Sequence, residues 1–145
     1  MQVSLLIFCL DEGRYAISLA YVDKVYPAVS IAKPPDNKDD FLGFVNVHGS
    51  VVPVINLRAR FGLPEKEIAI EDMLVLAHDQ GAKLAFIVDS IEDVIEYSPE
   101  QLVIADSMVY ASSKVKVLSL NHGLVMVSDL SDYLSESARQ YLAGS

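Results

Sequence analysis

The sequence predicts an all-β protein made of two similar small barrels, closed by one C-terminal helix. Three observations carry this expectation. Short runs of strand formers recur about every 8–12 residues along most of the chain. The order of these runs in the first half returns in the second. Apart from one candidate turn at Val22 to Val25, helical spacing marks only a brief stretch after Asn56 and residues 131–143.

Taken in order, Val3 to Leu10 reads as a buried strand and Asp11-Glu12-Gly13 as a turn. Tyr15, Ile17 and Leu19 alternate with small or polar residues, as in a half-buried strand. At Val22-Asp23-Lys24-Val25 the apolar spacing changes from two to three, which predicts a bend or a single helical turn ended by Pro27. Lys33 to Asp40 is a polar loop with two prolines. The most apolar stretch, Gly43 to Leu57, is interrupted by His48, Gly49 and Ser50. Phe44, Val45 and Val47 lead in, and Val51, Val52, Val54 and Ile55 lead out, so a hairpin with its tip at Asn46 to Ser50 is expected. Asn56 to Phe61 forms a short helix, capped by Asn56 and stopped by Gly62. Pro64 to Asp72 is a charged connector.

The second half then repeats the first. Leu5-Leu6-Ile7 corresponds to Leu74-Val75-Leu76 at a shift of 69 (74 − 5). At that shift Asp11 to Arg14 falls on Gln80 to Lys83, Ile17 and Leu19 on Phe86 and Val88, and Val22 to Val25 on Ile91 to Val94. Four more residues in the following loop bring Val52, Val54 and Leu57 onto Val125, Val127 and Leu130, a shift of 73 (125 − 52). This divides a single domain, 1–145, into units 1–68 and 69–130. A last helix over 131–143 starts at Ser131, carries Leu134, Ala138, Tyr141 and Leu142 on one face, and meets Gly144. Closing each unit into a barrel removes exposed sheet edges.

Composition narrows the function. With 145 residues, 52% of them hydrophobic, the chain can build a real core and is not disordered. No apolar run approaches the roughly 20 residues that cross a bilayer. The first residues lack a cationic start and the apolar run breaks at Asp11, so no signal peptide is expected. The one cysteine, Cys9, has no internal partner, which favours a reducing cytoplasm. A net charge of −9, from 11 basic and 20 acidic residues without a Lys/Arg cluster, argues against nucleic acid and anionic membranes as partners.

Chemistry finds little purchase. His48, His78 and His122 form no local ligand pair, so no metal is expected. Cys9 lies in an apolar strand, where a free cysteine acts as a small core hydrophobe. The carboxylate pairs Asp39-Asp40, Glu71-Asp72 and Glu92-Asp93 sit among solvent-type neighbours and serve solubility and turns. Asp89, directly after Leu84 to Val88, is expected to cap the step that follows it. No phosphate loop and no catalytic constellation are present, so neither an enzyme nor a cofactor is expected.

Three motifs in succession carry a resemblance. They are Y-A-I-x-x-x-x-V-x-x-V (Tyr15 to Val25), G-x-x-N-x-x-G-x-x-x-P-V-x-x-L (Gly43 to Leu57) and I-V-D-S-I-E-D-V (Ile87 to Val94). Their order and spacing resemble CheW-type adaptor proteins of bacterial and archaeal chemotaxis, over about Leu5 to Leu134. The resemblance implies two five-stranded SH3-like (OB-like) barrels, with strands exchanged between the halves. It also implies a cytoplasmic, non-catalytic scaffold that contacts the cytoplasmic tip of a methyl-accepting chemoreceptor and the regulatory domain of the histidine kinase CheA.

Carried over by position, Val22, Lys24 and Val25 border the receptor groove between the barrels. Asn46, Val47, His48 and Gly49 match the family's N-L-R-G tip beside it. Val88, Asp89, Ile91 and Val94 fall in the facing wall. The competing reading is that Val22, Val25, Val88 and Val94 fill a shared core. Two positions depart from the family pattern: His48 replaces the tip arginine, and Lys24 stands where the step has an acid. Both changes alter charge at a recognition surface, which points to a diverged or secondary chemosensory array. The alternatives are an adaptor of a non-flagellar system such as pilus motility, and an unrelated barrel that binds a peptide or small molecule in an enclosed pocket.

Overall fold

Val3–Leu10 (β1) and Gly13–Ser18 (β2) pair antiparallel around a tight turn in which Asp11 takes a positive φ of 53°. Gly13 leaves room there for Tyr15, since a Cβ would lie 2.7 Å from its hydroxyl and the ring would have to shift. The computed structural model describes residues 2–28, 31, 40–106, 114–120 and 123–143. Of the residues singled out in the sequence, Lys33 to Asp39, His122 and Gly144 fall outside the described residues.

After a 3-10 turn at Leu19–Tyr21, the first half continues with Val22–Pro27 (β3), Phe41–Val47 (β4), Ser50–Ile55 (β5) and the helix Leu57–Arg60 (α1). The second half holds Met73–Asp79 (β6), Ala82–Val88 (β7), Ser90–Tyr97 (β8), Val103–Asp106 (β9), Lys114–Leu120 (β10) and Gly123–Ser128 (β11). A 3-10 turn at Leu130–Tyr133 and the helix Glu136–Ala143 (α2) finish the chain.

These strands form a six-stranded sheet, β8-β1-β2-β11-β10-β9, and a five-stranded sheet, β3-β6-β7-β5-β4. Neither sheet is confined to one half of the chain. Each combines the first hairpin of one half with the remaining strands of the other, β1–β2 with β8 to β11 and β6–β7 with β3 to β5. The predicted shifts of 69 and 73 hold residue by residue in the ladders. Leu6 opposite Val94 corresponds to Val75 opposite Val25, and Ala16 opposite Val127 corresponds to Ala85 opposite Val54. Even the irregularities correspond: Asp23 in β3 and Glu92 in β8 are the extra residues of equivalent bulges.

Period-two burial sorts the apolar residues into three clusters. Leu5, Ile7, Ala16, Tyr97, Leu118, Val125 and Val127 fill the interior of the six-stranded barrel. Val45, Val52, Val54, Leu74, Leu76 and Ala85, with Tyr26 and Ile87, fill the other. The alternate residues Leu6, Phe8, Leu10, Tyr15 and Ile17 meet Val75, Ala77, Leu84, Phe86 and Val88 in a larger core between the barrels. The paired hairpins β1–β2 and β6–β7 are therefore buried on both faces, which explains their nearly continuous apolar runs. Aromatic rings dominate this shared core: Phe61 stacks on Tyr15 at 4.8 Å and meets Tyr133 edge-on at 5.4 Å.

Two expectations are corrected. The Val22–Val25 step is neither a bend nor a helical turn but a bulged strand, the 3-10 turn falling just before it. A bulge sets two residues against one, so the apolar spacing becomes three without any helix. The C-terminal helix is broken into two pieces. Its α-helical part is capped by Ser135, whose hydroxyl accepts the Ala138 N–H at 3.1 Å, rather than by Ser131. The short helix after β5 is as expected: Asn56 accepts the Ala59 N–H at 3.2 Å and Gly62 follows at φ 71°.

Candidate functional site

The chain crosses from one sheet to the other twice, between β2 and β3 and between β7 and β8. Directly after each crossover comes an aliphatic step, Val22 and Val25 in β3 and Ile91 and Val94 in β8. Val22, Val25 and Ile91 are half-buried against the inter-barrel core. Val94 is 48% exposed, whereas Val88 is fully buried in that core. The structure thus separates residues that sequence could not. Val88 belongs to the buried core, and the two steps keep part of their surface open to solvent. Lys24 is exposed, with its Nζ 5.9 Å from the centre of the Tyr26 ring.

The hairpin tip is built differently. Val47 pairs with Ser50 around a two-residue turn in which His48 has φ 51° and Gly49 φ 86°. Two successive positive φ values make this a type I′ turn, the form that matches strand twist. Asn46 closes it by accepting the Gly49 N–H on Oδ1 at 2.9 Å. Histidine is one of the few side chains that tolerates this backbone, so the His-Gly pair has a local cause. His48 itself is exposed. Val47 packs into the barrel interior with Tyr26, so the tip and the aliphatic steps stand on different clusters, linked through β3.

A cluster of charges that sequence reasoning missed lies at the second crossover. Arg58, on α1, donates from Nη2 to Asp11 Oδ1 at 2.7 Å and to both oxygens of Asp89 at 3.0 and 2.9 Å. Its Nη1 donates to the Pro64 carbonyl at 3.0 Å. Asp89 also accepts the Asp11 N–H at 2.7 Å, so it caps a turn of the other barrel and not the step that follows it. Lys66 pairs with Asp72 at 2.9 Å and approaches Asp89 at 3.6 Å. Burial works to raise the Asp89 pKa, but the Asp11 N–H, Arg58 and Lys66 outweigh it and hold the carboxyl below its ordinary value. Hydrogen bonding to Asp11 and Asp89 raises Arg58 despite its burial. The partners of Arg58 lie 47 and 31 positions away, beyond any local pattern.

The two bulge acids are also held, by different side chains. Arg14 grips Glu92 with Nη2 at 2.6 Å and Nε at 2.9 Å, while His78 Nδ1 lies 2.7 Å from Asp23. Among the described residues no three His, Cys, Asp or Glu side chains form a metal-binding group, and no helix is long and apolar enough to cross a membrane.

Fold and surface together define a duplicated double-barrel domain, with an aliphatic step after each crossover and an exposed hairpin turn standing on a separate cluster. The chain belongs to the CheW-like domain family, whose model matches residues 4–138. It is 26% identical over 139 residues to a chemotaxis protein CheW of Bacillus subtilis, covering 94% of this chain and 89% of that one. A chemotaxis protein CheW of Thermotoga maritima is 24% identical, with 93% and 89% covered. Among solved structures, the scaffolding protein TtCheW of Thermoanaerobacter tengcongensis superposes with a TM-score of 0.80 at 23% identity, covering 90% of this chain and 86% of that one. The all-β double-barrel class expected from the sequence is the fold observed.

Proposed function

We propose that this protein is a non-catalytic scaffold of a chemosensory array, coupling the cytoplasmic tips of chemoreceptors to the regulatory domain of the histidine kinase CheA. Membership of the CheW-like family gives the class. The observation that carries the reading is the pairing of aliphatic steps. Val22 and Val25 on one crossover strand match Ile91 and Val94 on the other, and three of the four rest on the same inter-barrel core. Such a junction offers two apolar rails to an amphipathic helical hairpin, whose anchors repeat at helical spacing. The tip Asn46-Val47-His48-Gly49 lies at a separate place and serves selectivity, since charge at a rim discriminates partners more than it tightens them.

Val94→Asp provides the test, because Val94 is exposed and its replacement leaves the core intact. Binding to a purified receptor-tip fragment, measured by calorimetry, is expected to weaken about tenfold or more, as for an interface anchor. Unchanged affinity for both the receptor fragment and the kinase domain overturns the assignment of this surface.

A further inference from the structure

We propose that Arg58 is a positioning residue that pins one side of the barrel junction, so that β8 is a fixed rail and β3 an adjustable one. The geometry starts from Asp89, the residue at which the chain leaves β7 for β8. Its carboxylate receives the Arg58 guanidinium and the Asp11 N–H, and its own N–H donates to the Cys9 carbonyl at 3.0 Å. Arg58 comes from α1, which follows β5 of the five-stranded sheet, and Asp11 from the β1–β2 turn of the six-stranded one. One planar group therefore ties the crossover to both barrels and, through Pro64, to the connector. Its side chain is 13% exposed and that of Asp89 24%, so water weakens these bonds less than at an open surface. Val88, fully buried just before Asp89, and Ile91, packed on the core just after the crossover, leave β8 little freedom to shift.

The duplication supplies an internal control. At the shifts of 69 and 73, the counterparts of Asp89, Asp11 and Arg58 are Ala20, Gln80 and Ser131. The other crossover thus lacks all three charges, and its 3-10 turn is N-capped by the Ala20 N–H donating to Ser18 Oγ at 3.3 Å. Strand pairing at the crossover does not require the cluster, because β3 pairs with β6 without it as β8 pairs with β1. The bulge acids follow the same division. Glu92 of β8 is held by a permanent guanidinium through two bonds, and Asp23 of β3 by one bond to a histidine.

The idea rests on the junction being a partner surface, but its first test does not. Amide hydrogen exchange of the full chain is compared between the parent and Arg58→Met, at low and at moderate salt. Local opening of β8 is expected to become about tenfold more frequent over residues 90–95, with little change over residues 22–26. In the parent, salt is expected to accelerate exchange at residues 90–95, and Arg58→Met to reduce that salt dependence to the part carried by the Arg14–Glu92 pair, which loss of packing alone does not do. Arg58→Lys keeps the charge without the fork and gives an intermediate rate. Unchanged protection of β8, or equal loosening of β3 and β8, overturns the proposal. Should Arg58→Met fail to fold, Asp11→Asn removes one arm of the cluster at an exposed carboxylate. It must produce a smaller acceleration at the same residues, or the proposal falls. If β8 loosens while affinity for a receptor-tip fragment is unchanged, the positioning role stands and the junction is not the receptor surface.

Discussion

His48 occupies a backbone position that most side chains avoid, with φ at 51° and an exposed imidazole. The turn and the side chain can therefore be tested apart. His48→Gly keeps the type I′ geometry and is expected to leave the melting temperature unchanged or slightly higher. His48→Val forces a β-branched residue into the left-handed region and costs about 1–2 kcal/mol. If the tip selects the partner, His48→Gly alters binding with no loss of stability. Denaturation midpoints and receptor-fragment titrations on both variants separate the two roles. The position of this tip was legible in the sequence, because His-Gly between β-branched runs is a turn signal of short range. Arg58 was not, since nothing within a few residues of it announces Asp11 or Asp89. Asp89 drew notice as an acid following an apolar run, but its partners proved distant in sequence, Asp11 from one barrel and Arg58 from the other.

At the scale of elements, the crossovers show where pattern reading succeeds and where it stops. The equivalence of Val22–Val25 with Ile91–Val94 followed from spacing alone, while the bulge beneath it did not, since a spacing of three suits a helical turn as well as an extra strand residue. Broken helical spacing at the C-terminus misled in the same way, because Leu134 and Ala138 share a core without sharing a helix. The β7–β8 crossover carries a pH signature. The folded pKa of Asp89 lies below its ordinary 3.8, so the folded state binds this proton less readily than the unfolded chain. The stabilisation is complete above the unfolded value and is lost as pH falls through the folded one. Asp89→Asn is thus expected to be about 1–3 kcal/mol less stable than the parent at pH 7, as for bonds to a charged group. That gap narrows in urea titrations once the pH drops below the ordinary carboxylate range. A gap that does not change with pH means that Asp89 contributes little through its charge.

For the whole molecule, the duplication was readable and the exchange of strands was not. Each strand displays its apolar face to some core, yet nothing in its own residues says which half supplies its neighbour. The ladders decide it: β1 takes β8 as its edge partner and β6 takes β3, so each half completes the barrel of the other. Neither half can fold by itself into the barrel seen here. Thermal unfolding of the chain should show one calorimetric transition, its van't Hoff and calorimetric enthalpies agreeing. A fragment of residues 1–68 is expected to stay unfolded or to associate, and to regain strand structure when mixed with 69–145. Two resolved transitions, or a folded monomeric fragment, contradict this. The chain has the topology of a domain-swapped dimer whose two copies have been joined end to end. For a half-length forerunner, folding would have depended on the concentration of a second copy. The connector from Pro64 to Asp72 removes that dependence by making the encounter intramolecular, and it leaves the two copies free to diverge, one crossover acquiring its charges while the other stayed plain.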